Sequence, residues 1–388
     1  MKTHIILLLC IVVRSVSGQL DDHQDPTHKG VYNQSKVQMM QNGHQDRIPS
    51  DIYNKSKVHV VQDGQQDLIT SAVYNQSKVF VKQDGRHQPE YYGYERPCPD
   101  AEDIAPCVCT YDTVSNAMDL NCSAVESEEQ LKQIFKADFP FKNFRKFRIQ
   151  ANNNLKVLEA GVFNGISFEI IYIIQNNLEV IEIQALDSCY ETATDLDVYF
   201  NKITSFPFDE LSQFSKLSHF DISINSLSVV PADAFHGLTA LEYLDIGSNN
   251  ANIGGTFQDL SNLRDMWLNS NNITTIPAQF IKTGSSHLSL IVLDENNIVS
   301  VEPDAFDIVD ALDIYMRYNS LSTLDEATWR PYLEAGGTLY AGGNPLVCGC
   351  DIAWLFAEDQ LLEQVDDFTS CNGGEYLHNL DPSIFDNC

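Results

Sequence analysis

One asparagine recurs through the second half of the chain at a nearly constant interval. Asn176, Asn201, Asn225, Asn249, Asn271, Asn296, Asn319 and Asn344 are separated by 25, 24, 24, 22, 25, 23 and 25 residues. Each falls at one place in the pattern apolar-x-x-apolar-x-apolar-x-x-Asn-x-apolar. Examples are Leu217…Phe220…Ile222…Asn225…Leu227 and Leu288…Ile291…Leu293…Asn296…Ile298. A looser first copy surrounds Phe144, Phe147 and Ile149, with Asn152 or Asn153 at the asparagine place. A period of this length commits the chain to a stack of similar coils, since one coil alone cannot bury its apolar positions. The alternating apolar residues predict one short strand per coil, stacked in parallel. The turn that follows leaves backbone groups the next strand cannot pair. A buried Asn carries both a donor and an acceptor, so a column of them satisfies those groups.

The return half of each coil repeats as well. Pro231-Ala-Asp-Ala-Phe235-His-Gly237-Leu238 is echoed by Pro303-Asp-Ala-Phe306 and Ala160-Gly-Val-Phe163-Asn-Gly165. Phe163, Phe235, Phe280 and Phe306 are therefore expected to stack as a second buried column. Ala251 stands where other coils carry a larger apolar residue, and this fifth coil is expected to be the least regular.

The segment 1–18 reads as a secretory signal peptide. Lys2 precedes the apolar run Ile5–Val13, and Val16 and Gly18 supply small residues before Gln19, the expected mature start. The run is too short to span a bilayer, and no later stretch reaches 18 apolar residues. The chain is therefore expected to be secreted and extracellular, without a membrane span. Residues 19–97 carry a 21-residue tandem repeat, marked by Tyr32, Tyr53 and Tyr74. Its polar composition predicts a flexible, disordered arm: either a solvated spacer, or a segment bearing glycans or crosslinks. Asn33, Asn54 and Asn75 in the arm, with Asn121 and Asn272 beyond it, fit the glycosylation sequon.

Secretion governs the cysteines. Cys98, Cys107, Cys109 and Cys122 form one cluster, and Cys348, Cys350, Cys371 and Cys388 another. Two disulfide frameworks are expected. Zinc is the competing reading for Cys-Val-Cys and Cys-Gly-Cys, but structural zinc sites favour wider spacing. Cys189 is left over, either as a buried free thiol or as half of an intermolecular bridge.

These motifs resemble extracellular leucine-rich repeats, and the cysteine clusters resemble the caps that seal such arrays. Asn344-Pro345-Leu-Val-Cys348-Gly-Cys350-Asp-Ile-Ala-Trp354-Leu355 is the most specific match. The eight residues between Cys98 and Cys107 are more than the usual amino-terminal cap carries. The resemblance implies pairings Cys98–Cys109, Cys107–Cys122, Cys348–Cys371 and Cys350–Cys388. The expected fold is an α/β solenoid, a leucine-rich-repeat horseshoe with a parallel concave sheet, preceded by the flexible arm. Its parts are an amino-terminal cysteine cap at 98–143, repeats at 144–343 and a carboxyl-terminal cap at 344–388. Residues 98–388 are also similar to secreted leucine-rich proteins of crustaceans, among them the non-catalytic subunits of oplophorus-type luciferases.

Outward strand positions define a face. The middle column runs Arg148, Tyr172, Asp197, Asp221, Asp245, Trp267, Val292, Tyr315 and Tyr340. A flanking column runs Lys146, Ile170, Asp195, His219, Tyr243, Asp265, Leu290 and Asp313. Tyr199 and Phe200 add apolar area beside Ile170, Tyr172 and Ile174. Aromatics edged by charge are what protein interfaces enrich. Tyr172, Asp197, Tyr199, His219, Asp221, Tyr243, Asp245, Trp267 and Tyr315 are the candidate partner-binding residues. Residues 98–388 hold 13 Lys/Arg against 44 Asp/Glu, a formal −31. That sign excludes nucleic acid and anionic membranes as natural partners.

No nucleophile elbow, phosphate loop or His-x-x-x-His pair appears, so no catalysis and no cofactor are expected. His219 with Asp197 and Asp221 could suggest acid–base work, and Asp195, Asp197, Asp221 and Asp245 a calcium site. In so acidic a chain such neighbours arise easily, and no metal is expected. The expected function is recognition or adhesion: the concave face binds an extracellular protein ligand. The alternative implied by the resemblance is a non-catalytic subunit that binds and stabilises a separate secreted enzyme.

Overall fold

The computed structural model describes the short strands within 58–92 and residues 97–388, apart from 183, 254–256, 258, 283–286 and 308–311. Within the arm, β1 (Val58–Gln62), β2 (Leu68–Tyr74), β3 (Ser77–Lys82) and β4 (Glu90–Tyr92) pair antiparallel in sequence order. Val58 and Val60, like Val79 and Val81, recur at the two-residue period of a strand.

An 11-stranded sheet runs through the rest of the chain. The hairpin β5 (Val108–Asp112) and β6 (Ala117–Asn121) opens it. Then follow, all parallel, β7 (Asn143–Gln150), β8 (Ser167–Ile174), β9 (Asp195–Asp197), β10 (His219–Asp221), β11 (Tyr243–Asp245), β12 (Asp265–Trp267), β13 (Leu290–Val292), β14 (Asp313–Tyr315) and β15 (Thr338–Tyr340). The solenoid predicted from the asparagine period is the architecture found. Central residues of the strands, such as Leu196, Phe220, Leu244, Met266 and Ile291, are fully buried.

The ladder asparagines do what the turn requires. Asn249 Oδ1 accepts from Leu227 N at 3.1 Å, while its Nδ2 donates to Ile222 O and Ile246 O, each at 2.9 Å. Asn271 repeats this with Ala251 N, Ile246 O and Leu268 O. Asn296, Asn319 and Asn344 follow suit. In the first copy the ladder residue is Asn152, which is buried and donates to Ser123 O and Val125 O; Asn153 is exposed. Ala251 is fully buried and keeps the ladder bond, so the smaller side chain does not break the coil there.

The return side differs from expectation in its aromatic column. Ring centroids connect Phe208, Phe235, Phe257, Phe280, Phe306 and Trp329, with successive separations of 6.0, 5.6, 5.1, 6.4 and 5.9 Å. Phe163 is not in that column. It packs with Phe135, Phe147 and Phe168 at 5.0–5.1 Å, in a separate cluster under the amino-terminal cap. Phe208 and Phe257 are the phenylalanines of the column the sequence did not point to; neither follows a proline by three or four residues.

Disulfides at both ends link Cys98–Cys109, Cys107–Cys122, Cys348–Cys371 and Cys350–Cys388, the pairing implied by the resemblance. In the first cap Ser127 caps α1 (Glu128–Ile134), accepting from Gln130 N. At the other end α2 (Glu326–Glu334), capped by Asp325, brings Trp329 onto the last aromatic rung. Trp354 Nε1 donates to Leu324 O at 3.0 Å, which fastens the closing cap to the last coil. Cys189 is free and fully buried. Burial pushes its thiol up to about 11 and keeps the sulfur from solvent.

Candidate protein-binding face

The short strands fix the register of every outward side chain. Tyr172 pairs with Asp197, Asp197 with Asp221, Asp221 with Asp245, and Asp245 with Trp267. The middle column continues through Val292, Tyr315 and Tyr340. His219, Tyr243 and Asp265 are likewise successive members of the flanking column. All candidate residues borne by these strands therefore lie on one face. Tyr199 follows β9, and its hydroxyl accepts from Gln175 Nε2 at 2.8 Å.

The acidic residues are not alike. Asp197 Oδ1 accepts from Tyr199 N at 3.1 Å, and Asp221 Oδ1 from Ser223 N and Oγ at 2.8 and 2.6 Å. Asp245 was expected to be exposed but is buried, its carboxylate taken by Gly247 N and the Tyr243 hydroxyl. Asp197, Asp221 and Asp245 each accept from a backbone N–H of the turn that follows their own strand. Among the described residues no group of three or more His, Cys, Asp or Glu side chains is placed to hold a metal ion.

Rings stack in register along the sheet. His219 lies flat on Tyr243, centroids 4.3 Å apart and planes at 7°. Burial lowers the pKa of His219 and so favours the neutral imidazole. Tyr315 stacks on Tyr340 at 4.0 Å and 3°, and the Arg317 guanidinium sits 4.9 Å from both ring centres. At the other end the Lys146 ammonium lies 5.0 Å over Tyr172. Of the sequons, Asn121 and Asn272 are exposed; Asn33, Asn54 and Asn75 lie outside the described residues.

A scan of known families places the Leucine rich repeat on residues 191–250. The non-catalytic subunit of Oplophorus-luciferin 2-monooxygenase from Oplophorus gracilirostris is 31% identical over 314 residues, covering 74% of this chain and 87% of that protein. The chain belongs to that leucine-rich-repeat family. A second relative is the Danio rerio leucine-rich repeat and fibronectin type III domain-containing protein 1. It is 28% identical over 129 residues, 30% of this chain and 21% of the relative. Among solved structures, a chain of the octameric complex of latrophilin 3, Unc5D and FLRT2 is 18% identical, with 66% of this chain and 86% of that one covered at a TM-score of 0.48. A chain of the Drosophila Toll–Spatzle complex is 19% identical, covering 62% of this chain and 35% of that one at 0.47.

A depression of about 380 Å³ lies on the return side of this family member. Its walls include Phe206, Phe208, Pro231, Asp209, Asp233 and His236, and the His236 imidazole pairs with Asp259.

Burial, with the like charges of Asp221, Asp245 and Asp195, pushes Asp197 up to about 7; burial pushes Asp294 up to about 6. Their ordinary value is 3.8. In the folded chain both groups therefore hold protons that the unfolded chain releases. The stability this confers is complete below about pH 4 and is lost as pH rises toward about 7. Asp197→Asn keeps an acceptor for Tyr199 N and removes the charge. It is expected to raise stability by about 1–3 kcal/mol at pH 8 and by almost nothing at pH 4. Urea unfolding at the two pH values checks this.

Proposed function

We propose that the chain is a secreted, non-catalytic module whose concave face binds another extracellular protein. The observation that carries this reading is the register of Tyr172, Asp197, His219, Asp221, Tyr243, Trp267 and Tyr315 on one continuous sheet, with Tyr199 just beyond β9. Large, stiff aromatic side chains give up little freedom on binding, and neighbouring carboxylates add specificity. An extracellular setting is supported by four disulfides and by the apolar leader. Among the described residues no helix is long and apolar enough to cross a membrane.

A second reading makes the bound protein a secreted enzyme that the chain carries and stabilises. It is favoured by the relative named as a non-catalytic subunit. Affinity capture from the native secretion separates the two: a stoichiometric small enzyme supports the companion role, whereas a receptor or matrix protein supports recognition. With the captured partner, Trp267→Ala is expected to weaken binding about tenfold or more while the chain stays folded by circular dichroism. Unchanged affinity would contradict the assignment of the concave face.

A further inference from the structure

The residue before each ladder asparagine lies in left-handed backbone, with φ of +57° at Gln175, +55° at Phe200, +52° at Ile224, +57° at Ser248 and +55° at Ser270. Side chains with a Cβ disfavour this region, and β-branched ones disfavour it most. Serine fills the place in two neighbouring coils, so the turn itself does not ask for bulk. Phe200 and Ile224 nevertheless occupy it while 52% and 43% exposed. They stand on adjacent rungs, because Phe200 N donates to Ser223 O and Asn201 N to Ile224 O. Tyr199 continues the apolar surface inward, its ring 6.3 Å from that of Phe200. Two strained, water-facing apolar side chains in a row are a feature that folding does not explain.

Beside this ridge the charge has one sign. From β9 through β13 the outward strand positions carry the solvent-reaching Asp195, Asp197, Asp221 and Asp265, with Asp245 buried among them, and no Lys or Arg. The cations of the face stand at its ends, Lys146 and Arg148 on β7 and Arg317 after β14.

We propose that the Phe200–Ile224 ridge and the adjoining aspartate column form one docking groove for a basic polypeptide segment of the partner, with a large apolar side chain seated against the ridge and Lys or Arg facing the aspartates. This rests on the concave-face reading and names the chemistry it selects. Docking of a second copy is opposed by the −31 charge of residues 98–388.

The probe is a labelled synthetic peptide of alternating Lys and Leu, titrated onto the full chain at physiological salt. Glu–Leu and Lys–Ser peptides are the comparisons. The Lys–Leu peptide is expected to bind more tightly than either. Phe200→Ser with Ile224→Ser, the residue that adjacent coils already use, is expected to hold or raise the melting temperature while weakening the peptide about tenfold. Asp197→Asn with Asp221→Asn is expected to weaken it and flatten its salt dependence. Val229→Ser, which removes an exposed valine elsewhere, is expected to change nothing.

Equal binding of the Lys–Ser peptide, or indifference to the serine pair, overturns the groove. Self-association that the serine pair abolishes assigns the ridge to a second copy and also overturns it. If the peptide result fails while the native partner still responds to Trp267→Ala, the groove falls alone; if that response is absent too, the concave-face reading falls with it.

Discussion

Phe257→Ala is expected to lower stability by about 3–5 kcal/mol, one of the largest effects of any single truncation in the chain. The ring is the middle rung of the aromatic column, 5.6 Å from Phe235 and 5.1 Å from Phe280, and is 2% exposed. Its removal leaves a void between two coils whose backbones are held apart by their own hydrogen bonds, so the space cannot close. Phe257 N donates to Phe280 O at 2.8 Å, which fixes the rung against relaxation. Denaturant unfolding, read together with Phe368→Ala at an exposed ring, measures the cost; the exposed ring should cost under about 0.5 kcal/mol. A Phe257→Ala effect of that small size would mean the column is not a packed core.

Asn249→Leu is expected to cost about 2–3 kcal/mol, although it adds apolar surface. It takes the acceptor from Leu227 N and the donor from Ile222 O and Ile246 O. Leu227 N would then be buried without an acceptor, a loss of about 1–3 kcal/mol, while Ile222 O and Ile246 O would each keep one amide donor, from Asn225 and Asn271. Asn153→Ala, at the exposed neighbour of the first ladder asparagine, is the matched control and should stay within about 0.5 kcal/mol of wild type. Equal effects at the two positions would remove the physical basis given for the periodic asparagine.

These two cases show what was legible in the sequence. Asn249 announces itself because every coil meets the same backbone problem with the same side chain, and repetition exposes it. The strand columns followed from that period, so the neighbours of Tyr172, Asp197 and Trp267 could be placed without a structure. The caps were legible because Cys348-Gly-Cys350 and Trp354 keep fixed spacing. Phe257 was not legible. Shape decides the return column, and a phenylalanine can enter it from a glycine-rich segment as well as from a proline-led one. Asp245 looked like Asp221, but Gly247 and Tyr243 draw it inward. Tyr199 and Phe200 were noticed as apolar area; Ile224 was not, because its left-handed backbone goes against the preference of its own side chain.

The central claim is that this solenoid works through the concave centre of its sheet. Hydrogen-exchange mass spectrometry on the full chain, with and without its co-purified partner, tests it most directly. The account predicts partner-induced protection over 170–175, 195–201, 219–225 and 243–248, with little change over the return segments 206–214 and 231–236. Protection confined to those return segments, with the strand residues unaffected, would contradict it.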